Sequence, residues 1–516
     1  MSLKALPIGK SSFREIIEGN YAYVDKTEYA LSMILQRGYY FISRPRRFGK
    51  SLFLDTLATI FSGDKALFEG LYIYERYDFP KHPVIKISLN DGSFKSLEQL
   101  QQNLFEILQF NQRQLGVDCD HTLSLSGCFR ELIHQAHKTY QAKVVVLVDE
   151  YDKPILDNIE NTQLAQALRD ELKGFYSVIK GADAYLQLVF MTGVSKFSKV
   201  SLFSGLNNLE DITLTPRYAT LCGYTQHDIE TVFAEHLKGQ DFDRIRQWYN
   251  GYQWLGEGVY NPFDILLFIS NEFAYRNYWF STGTPSFLLK VLEQNRYYLP
   301  NLERIIADDR LLDSFDVGNI QFEPLLWQTG YLTISHTETL LDQVEYHLSI
   351  PNREVQQSLF GVLAQYLADS DNSVQTINPM LRALLHSDFE TLKTQLISLY
   401  ASIPYEHFTH SQMHQYEGYY VAVFYAYMKA LGLEVIGEDV TDKGRIDLTM
   451  KLPDQILIIE FKVDAVSADQ ALAQIKDKNY AQKYQADARP VTLMGIAFDR
   501  TQKNVADLQT ETATTV

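Results

Sequence analysis

Residues 39–57 read Tyr-Tyr-Phe-Ile-Ser-Arg-Pro-Arg-Arg-Phe-Gly-Lys-Ser-Leu-Phe-Leu-Asp-Thr-Leu. The run Tyr39–Ile42 is apolar and β-like, a loop ending in Gly49-Lys50-Ser51 follows, and Leu52, Leu54 and Leu57 then recur at helical spacing. Strand, loop, Gly-Lys-Ser and helix is the order of a phosphate-binding P-loop. In that design backbone N–H groups and a helix N-terminus face the phosphates. Lys50 is expected to neutralise the β/γ-phosphates of ATP, and the Ser51 hydroxyl to hold Mg²⁺. The nucleotide-binding run is then Arg46, Arg47, Phe48, Gly49, Lys50 and Ser51. The usual spelling, G-x-x-x-x-G-K-[ST], needs Gly at position 44, where this chain has Arg44. Taken alone, the stretch also reads as a basic loop ahead of a helix.

A second stretch supplies what the first lacks. Val144-Val145-Val146-Leu147-Val148 has no polar alternation, as expected of a strand buried on both faces, and it ends in Asp149-Glu150. Ligands bind at the ends of parallel strands in open α/β sheets. Asp149 is therefore assigned to Mg²⁺ and Glu150 to the general base that polarises the attacking water. A further strand, Leu186–Met191, ends in Thr192-Gly193, which reads equally as a polar residue that senses the γ-phosphate or as an ordinary strand-ending turn. Strands at Tyr39–Ile42, Val84–Leu89, Val144–Val148 and Leu186–Met191 alternate with helical runs around 96–110, 126–140 and 162–180. That pattern predicts an α/β domain, a parallel sheet flanked by helices, over residues 1–235.

From 236 to 400 the pattern turns helical and aromatic. A helix stopped by Gly330, two strands and a further helix form a winged-helix-like unit, which could touch DNA or serve as a packing module. The tail after 501 reads as frayed. The chain has 516 residues, 46% hydrophobic, with a net charge of −17. That acidic balance argues against a surface coated for nucleic acid but leaves room for a local basic groove. Cys119, Cys128 and Cys222 form no Cys-x-x-Cys pair. With no signal-peptide core and no run of ~18 apolar residues, a cytoplasmic protein without a membrane span is expected.

Several segments now carry a resemblance: Tyr23-Val24-Asp25-Lys26-Thr27, Arg44–Ser51, Val148-Asp149-Glu150-Tyr151-Asp152 and Thr192-Gly193-Val194-Ser195-Lys196-Phe197-Ser198. Ser204–Leu209 and Trp248-Tyr249-Asn250-Gly251-Tyr252 extend it. About residues 5–290 resemble the AAA-ATPase-like family of P-loop proteins, in which the loop itself reads Arg-Pro-Arg-Arg-Phe-Gly-Lys-Ser. The resemblance implies ATP and Mg²⁺ as ligands, and by analogy puts Asp25-Lys26 near the base. Arg46 and Arg47 add charge to the phosphates or pair with acids elsewhere. Arg217 is the candidate arginine finger.

Residues 401–516 hold a second constellation. Three strand-like segments, Leu433–Val440, Arg445–Leu452 and Gln455–Val463, are joined by turns. A hairpin centred between Pro453 and Asp454 sets Asp447 opposite Glu460, with Lys462 on the same face. Ile446, Leu448, Leu457, Ile459, Phe461 and Val463 fall on the core face. Opposed acids destabilise a hairpin unless a cation lies between them, and such oxygen ligands suit Mg²⁺ or Mn²⁺. The bland alternative is a solvated face on which Lys462 bridges the two acids. The spacing Asp447-(x)12-Glu460-Phe461-Lys462 resembles the PD-(D/E)XK nuclease superfamily, an αβββαβ fold. The resemblance makes Asp447 and Glu460 metal ligands and, with Lys462, catalytic residues. Glu417 and Gln474 match its frequent helix acid and helix polar residue. Lys476, Lys478 and Lys483 with Tyr480 and Tyr484 could line a phosphate-tracking groove, or form an ordinary solvated helix face.

These readings together predict a bacterial ATPase that regulates a metal-dependent nuclease acting on nucleic acid, DNA before RNA. Whether it forms a homo-oligomer stays open. The competing expectation is a nucleotide-dependent signalling or assembly switch whose nuclease-like domain only binds.

Overall fold

The computed structural model describes residues 3–118, 120, 123–196, 208–279, 299–313, 321–368, 373–403, 417–464 and 467–513. Ser204–Asn207, Phe197, Ser198 and Cys119 therefore lie outside the described residues. The chain divides into two compact units where three segments were expected. Met1–Thr282 groups with Ile306–Asn352, and Gly283–Ile305 groups with Arg353–Val516.

The first unit is built on β1 (Tyr39–Ser43), α1 (Lys50–Ser62), β2 (Val84–Ser88), α2 (Leu97–Leu115), α3 (Leu125–Tyr140), β3 (Val144–Asp149), α4 (Thr162–Tyr176), β4 (Leu186–Gly193) and β5 (Leu209–Asp211). The sheet order is β2-β3-β4-β1-β5 and every pairing is parallel. Parallel neighbours need long crossovers, which the helices provide. Val144–Val148 are wholly buried, as their uninterrupted apolar spelling requires. Ser43 pairs with Gly193 and Ser88 with Asp149, so the C-terminal ends of four strands meet at one edge. Gly193 is dictated by packing, since a Cβ there would lie 2.4 Å from Tyr151 Cε1.

Further along the same unit come α5 (Pro262–Ser270), α6 (Phe322–Thr329), β6 (Thr333–Leu340) and β7 (Gln343–Ser349). Helix α6 stops at Gly330, whose φ of 92° suits glycine as the left-handed cap. β6 and β7 form an antiparallel hairpin. The helix that follows it, α7 (Arg353–Ala368), belongs to the second unit. The expected winged helix is therefore not one compact module.

The second unit adds α8 (Phe389–Ala401), α9 (Glu417–Ala430), β8 (Glu434–Thr441), β9 (Gly444–Lys451), β10 (Ile456–Val463), α10 (Asp469–Asp477), β11 (Val491–Asp499) and β12 (Asn504–Thr512). Its sheet runs β12-β11-β10-β9-β8, antiparallel except for the β10–β11 pair. Leu448 faces Ile459 and Met450 faces Leu457, the register centred between Pro453 and Asp454. Ile446 departs from the expected face. It packs with Ile456, Ile458, Leu472 and Tyr480, because the β9–β10 ladder ends at Leu448 and Glu438 beside it takes a left-handed φ of 52°. The supposed frayed tail is a strand: β12 pairs with β11 and buries Val505 and Leu508.

Candidate functional site

Gly49 is the N-cap of α1 with φ 92°, and Arg47 takes φ 70°. Arg44 has no such left-handed backbone, so nothing in this loop's geometry requires glycine there. Its side chain is wholly buried and donates to the carbonyls of Ser43 (2.8 Å), Thr213 (2.9 Å) and Tyr218 (3.2 Å), with the guanidinium over the Trp254 ring. Burial pulls its pKa down to about 10, so it stays charged at neutral pH. Arg44 thus ties the end of β1 to the segment after β5.

Lys50 is buried, and its Nζ donates to the carbonyls of Arg44 and Pro45, both at 2.9 Å. Ser51 Oγ donates to Asp149 Oδ2 at 2.6 Å. The same oxygen accepts from Asn90 Nδ2 at 2.9 Å, and Oδ1 accepts from Thr192 Oγ1 at 2.6 Å. Asp149 is therefore held on three sides, at the strand edge. Glu150 follows with a left-handed φ of 51°. Burial raises its pKa, Lys50 and Arg46 oppose that, and Asp149 and Asp152 add to it, which suits a group that must accept a proton.

A cavity of about 510 Å³ opens over the loop. Arg46, Arg47, Gly49, Lys50, Ser51 and Glu150 line it, and so does Asn90. Arg47 reaches across to the Phe263 ring on α5, with 4.7 Å between guanidinium carbon and ring centre. Two residues of the expected nucleotide-binding set keep their side chains off this cavity. Phe48 is buried against Tyr252 and Trp254, a core contact away from this cavity. Thr192 is wholly buried and spends its hydroxyl on Asp149, so it positions the acid and does not face the cavity. Arg217 donates to Ser32 Oγ and does not line the cavity of its own chain. Lys26 pairs with Asp228 and borders a smaller pocket that shares Gly49 and Leu52 with the larger one. Asp25 caps the turn at Thr27 and accepts from the Tyr72 N–H.

In the second unit the carboxylates of Asp447 and Glu460 interlock beyond the end of the regular ladder. The Asp447 N–H donates to Glu460 Oε1 at 3.3 Å, and the Phe461 N–H donates to Asp447 Oδ2 at 2.8 Å. Gln474, on α10, donates to Glu460 Oε2 at 2.7 Å. Glu460 is fully buried. Burial first, and then the neighbouring Asp447, push its pKa well up, and burial raises that of Asp447 as well. The Lys462 ammonium makes no hydrogen bond or ion pair among the described residues, so it does not bridge the acids, while its backbone pairs with Ala497. A buried and a half-buried acid in contact, with hard oxygen donors and a lysine alongside, fit a divalent cation. The side chain of Glu417 lies outside the described residues.

The expected phosphate-tracking groove is not formed. Lys476 pairs with Glu511 and Lys483 with Asp439, while Tyr480 and Tyr484 are buried and donate to Arg445 O and Asp439 Oδ2. These side chains brace the fold and are not open for base stacking. Among the described residues no helix is long and apolar enough to cross a membrane.

Sequence motifs identify Lys50, Ser51, Asp149 and Glu150, but not Asn90. Its only signal is its place just after β2, the strand next to β3.

A family model described as "Predicted AAA-ATPase" matches residues 7–203, and one described as "PD-(D/E)XK nuclease superfamily" matches 415–508. An "Uncharacterized protein in vnfD 5'region" of Azotobacter chroococcum mcd 1 is 47% identical over 515 residues, covering 99% of each chain. With the phosphate loop on a parallel sheet and the interlocked acids on a separate mixed one, the chain belongs to the AAA-ATPase-like family, in a form that carries a C-terminal PD-(D/E)XK nuclease superfamily domain.

Proposed function

We propose that this protein binds and hydrolyses ATP in its first unit and thereby regulates a metal-dependent nuclease in its second. The observation that carries the ATPase reading is the set Lys50, Ser51, Asp149 and Glu150, gathered at one sheet edge around a cavity large enough for a nucleotide. Lys50 exchanges its loop carbonyls for phosphate oxygens. Ser51 and Asp149 hold Mg²⁺, whose chemistry when bound is to neutralise charge on the phosphates. Glu150 accepts the proton of the attacking water, and Arg46 and Arg47 bind phosphate oxygens.

At the second site Asp447 and Glu460 hold Mg²⁺ or Mn²⁺, which when bound polarises a phosphodiester oxygen. Gln474 fixes the rotamer of Glu460. Lys462, whose ammonium has no ion-pair partner among the described residues, stabilises charge developing on the phosphate. DNA is the preferred substrate class in this reading.

The test uses purified full-length protein with single- and double-stranded DNA and RNA, Mn²⁺, and ATP present or absent. Lys50→Ala is expected to abolish ATP binding. Glu150→Gln should keep binding and lower hydrolysis by about 10²-fold or more. Asp447→Ala or Glu460→Ala should remove cleavage and spare the ATPase. Normal hydrolysis by Glu150→Gln would overturn its assignment as base, and unchanged cleavage by both acid variants would exclude the nuclease site.

A further inference from the structure

The hairpin β6–β7 carries a cluster that neither site uses. His336 pairs with His347 and Glu338 with Glu345 in alternate rungs of the ladder, with the Thr337–Tyr346 rung between them, so the four side chains share one face. Ligand atoms of Glu338, Glu345 and His347 all lie within 4.8 Å of one another. His347 Nε2 lies 3.6 Å from Glu338 Oε2, and this nitrogen is shielded from solvent without a hydrogen-bond partner. His336 stacks on His347 with ring centres 4.1 Å apart and planes 11° from parallel, which holds the second ring in place. Tyr346, on the opposite face, is buried and donates to Asp309, fixing the strand beneath the cluster.

Directly opposed glutamates repel across a ladder. From Thr333 to Ile350 the sequence has no lysine or arginine. Among the described residues, neither Glu338 nor Glu345 pairs with either. The same spelling argues against this hairpin as a wing on nucleic acid, because it offers phosphate only acids. Two carboxylates and an inward-turned imidazole are the donor set of a borderline first-row cation.

We propose that the hairpin binds one divalent transition-metal ion of the Zn²⁺ class through Glu338, Glu345 and His347. The ion clips β6 to β7, held by residues that neither of the two sites described above uses.

The test is Zn²⁺ titration of full-length protein stripped with chelator, in competition with a chromophoric chelator, and repeated in the Asp447→Ala/Glu460→Ala background. The expected result is one equivalent of Zn²⁺ that persists in that background and is lost in His347→Ala. In Glu338→Gln/Glu345→Gln, which leaves the histidines in place, affinity for that equivalent should fall at least tenfold. Co²⁺ should give a visible absorption band that His347→Ala lacks. Unchanged Zn²⁺ stoichiometry and affinity in both hairpin variants, or an equivalent that vanishes with Asp447 and Glu460, would overturn the proposal. Since the cluster faces away from the core, both variants should unfold at the wild-type temperature when metal-free.

Discussion

Arg44 shows how a single side chain decides the meaning of an apparent defect. It satisfies three buried carbonyls, and hydrogen bonds from a charged donor are worth more than neutral ones. Arg44→Gly, which restores the common spelling of the loop, should cost about 3 kcal/mol or more in urea unfolding, because those carbonyls lose their partner. It should bring no gain in ATP affinity, measured by titration with a fluorescent nucleotide, since the left-handed positions are Arg47 and Gly49. At this scale the sequence was legible where chemistry demands one residue type. Lys50, Ser51, Asp149 and Glu150 belong to that class. Phe48 and Thr192 turn their side chains to the core and to Asp149, because membership in a motif does not reveal which way a side chain points. Asn90 was missed because a lone asparagine has no spelling of its own.

Strands betray themselves through apolar runs, as β3 and β10 do, or through strict alternation, as β9 does. β12 has neither. Its buried residues, Val505 and Leu508, are three apart, and a register irregularity at Ala497/Phe498 breaks the ladder opposite. Polar anchoring compensates. Asp507 accepts from Lys393 of α8 at 2.7 Å, from the Ala468 N–H and from Gln509. Burial would raise its pKa, but these donors hold it down to about 2. A depressed carboxylate stabilises the fold above its unfolded pKa of about 4, and that stability is lost as pH falls through about 2. Asp507→Asn should therefore lower stability at pH 7 by about 1 kcal/mol and flatten the acid-unfolding profile between about pH 4 and pH 2. Thermal melts across that range check it.

Over the whole molecule, composition and motif spacing gave the two fold types but misplaced the seam. No motif marks Arg353, because the boundary is set by packing between helices. Gln356 of α7 donates to the carbonyls of Lys429 and Leu433, Tyr400 of α8 donates to Tyr420 O at 2.7 Å, and the Tyr400 ring meets Phe498. A fragment beginning at residue 401 lacks α7 and α8 and should melt without cooperativity. One beginning at 353 should keep a cooperative transition, as followed by circular dichroism. Equal melts would restore the seam at 401.

The position of β1 has a consequence for the timing of assembly. Tyr39 is hydrogen-bonded between Val189 on one side and Leu209 on the other, so the strand that carries the phosphate loop has no local partner. Contacts so distant in sequence form slowly. During synthesis the loop acquires its seat only after the chain has been made out to β5. An unfinished chain therefore holds every residue of Arg44–Ser51 without the sheet edge that seats them. Nucleotide, acting by mass action on the closed sheet alone, would select for chains whose first unit is complete.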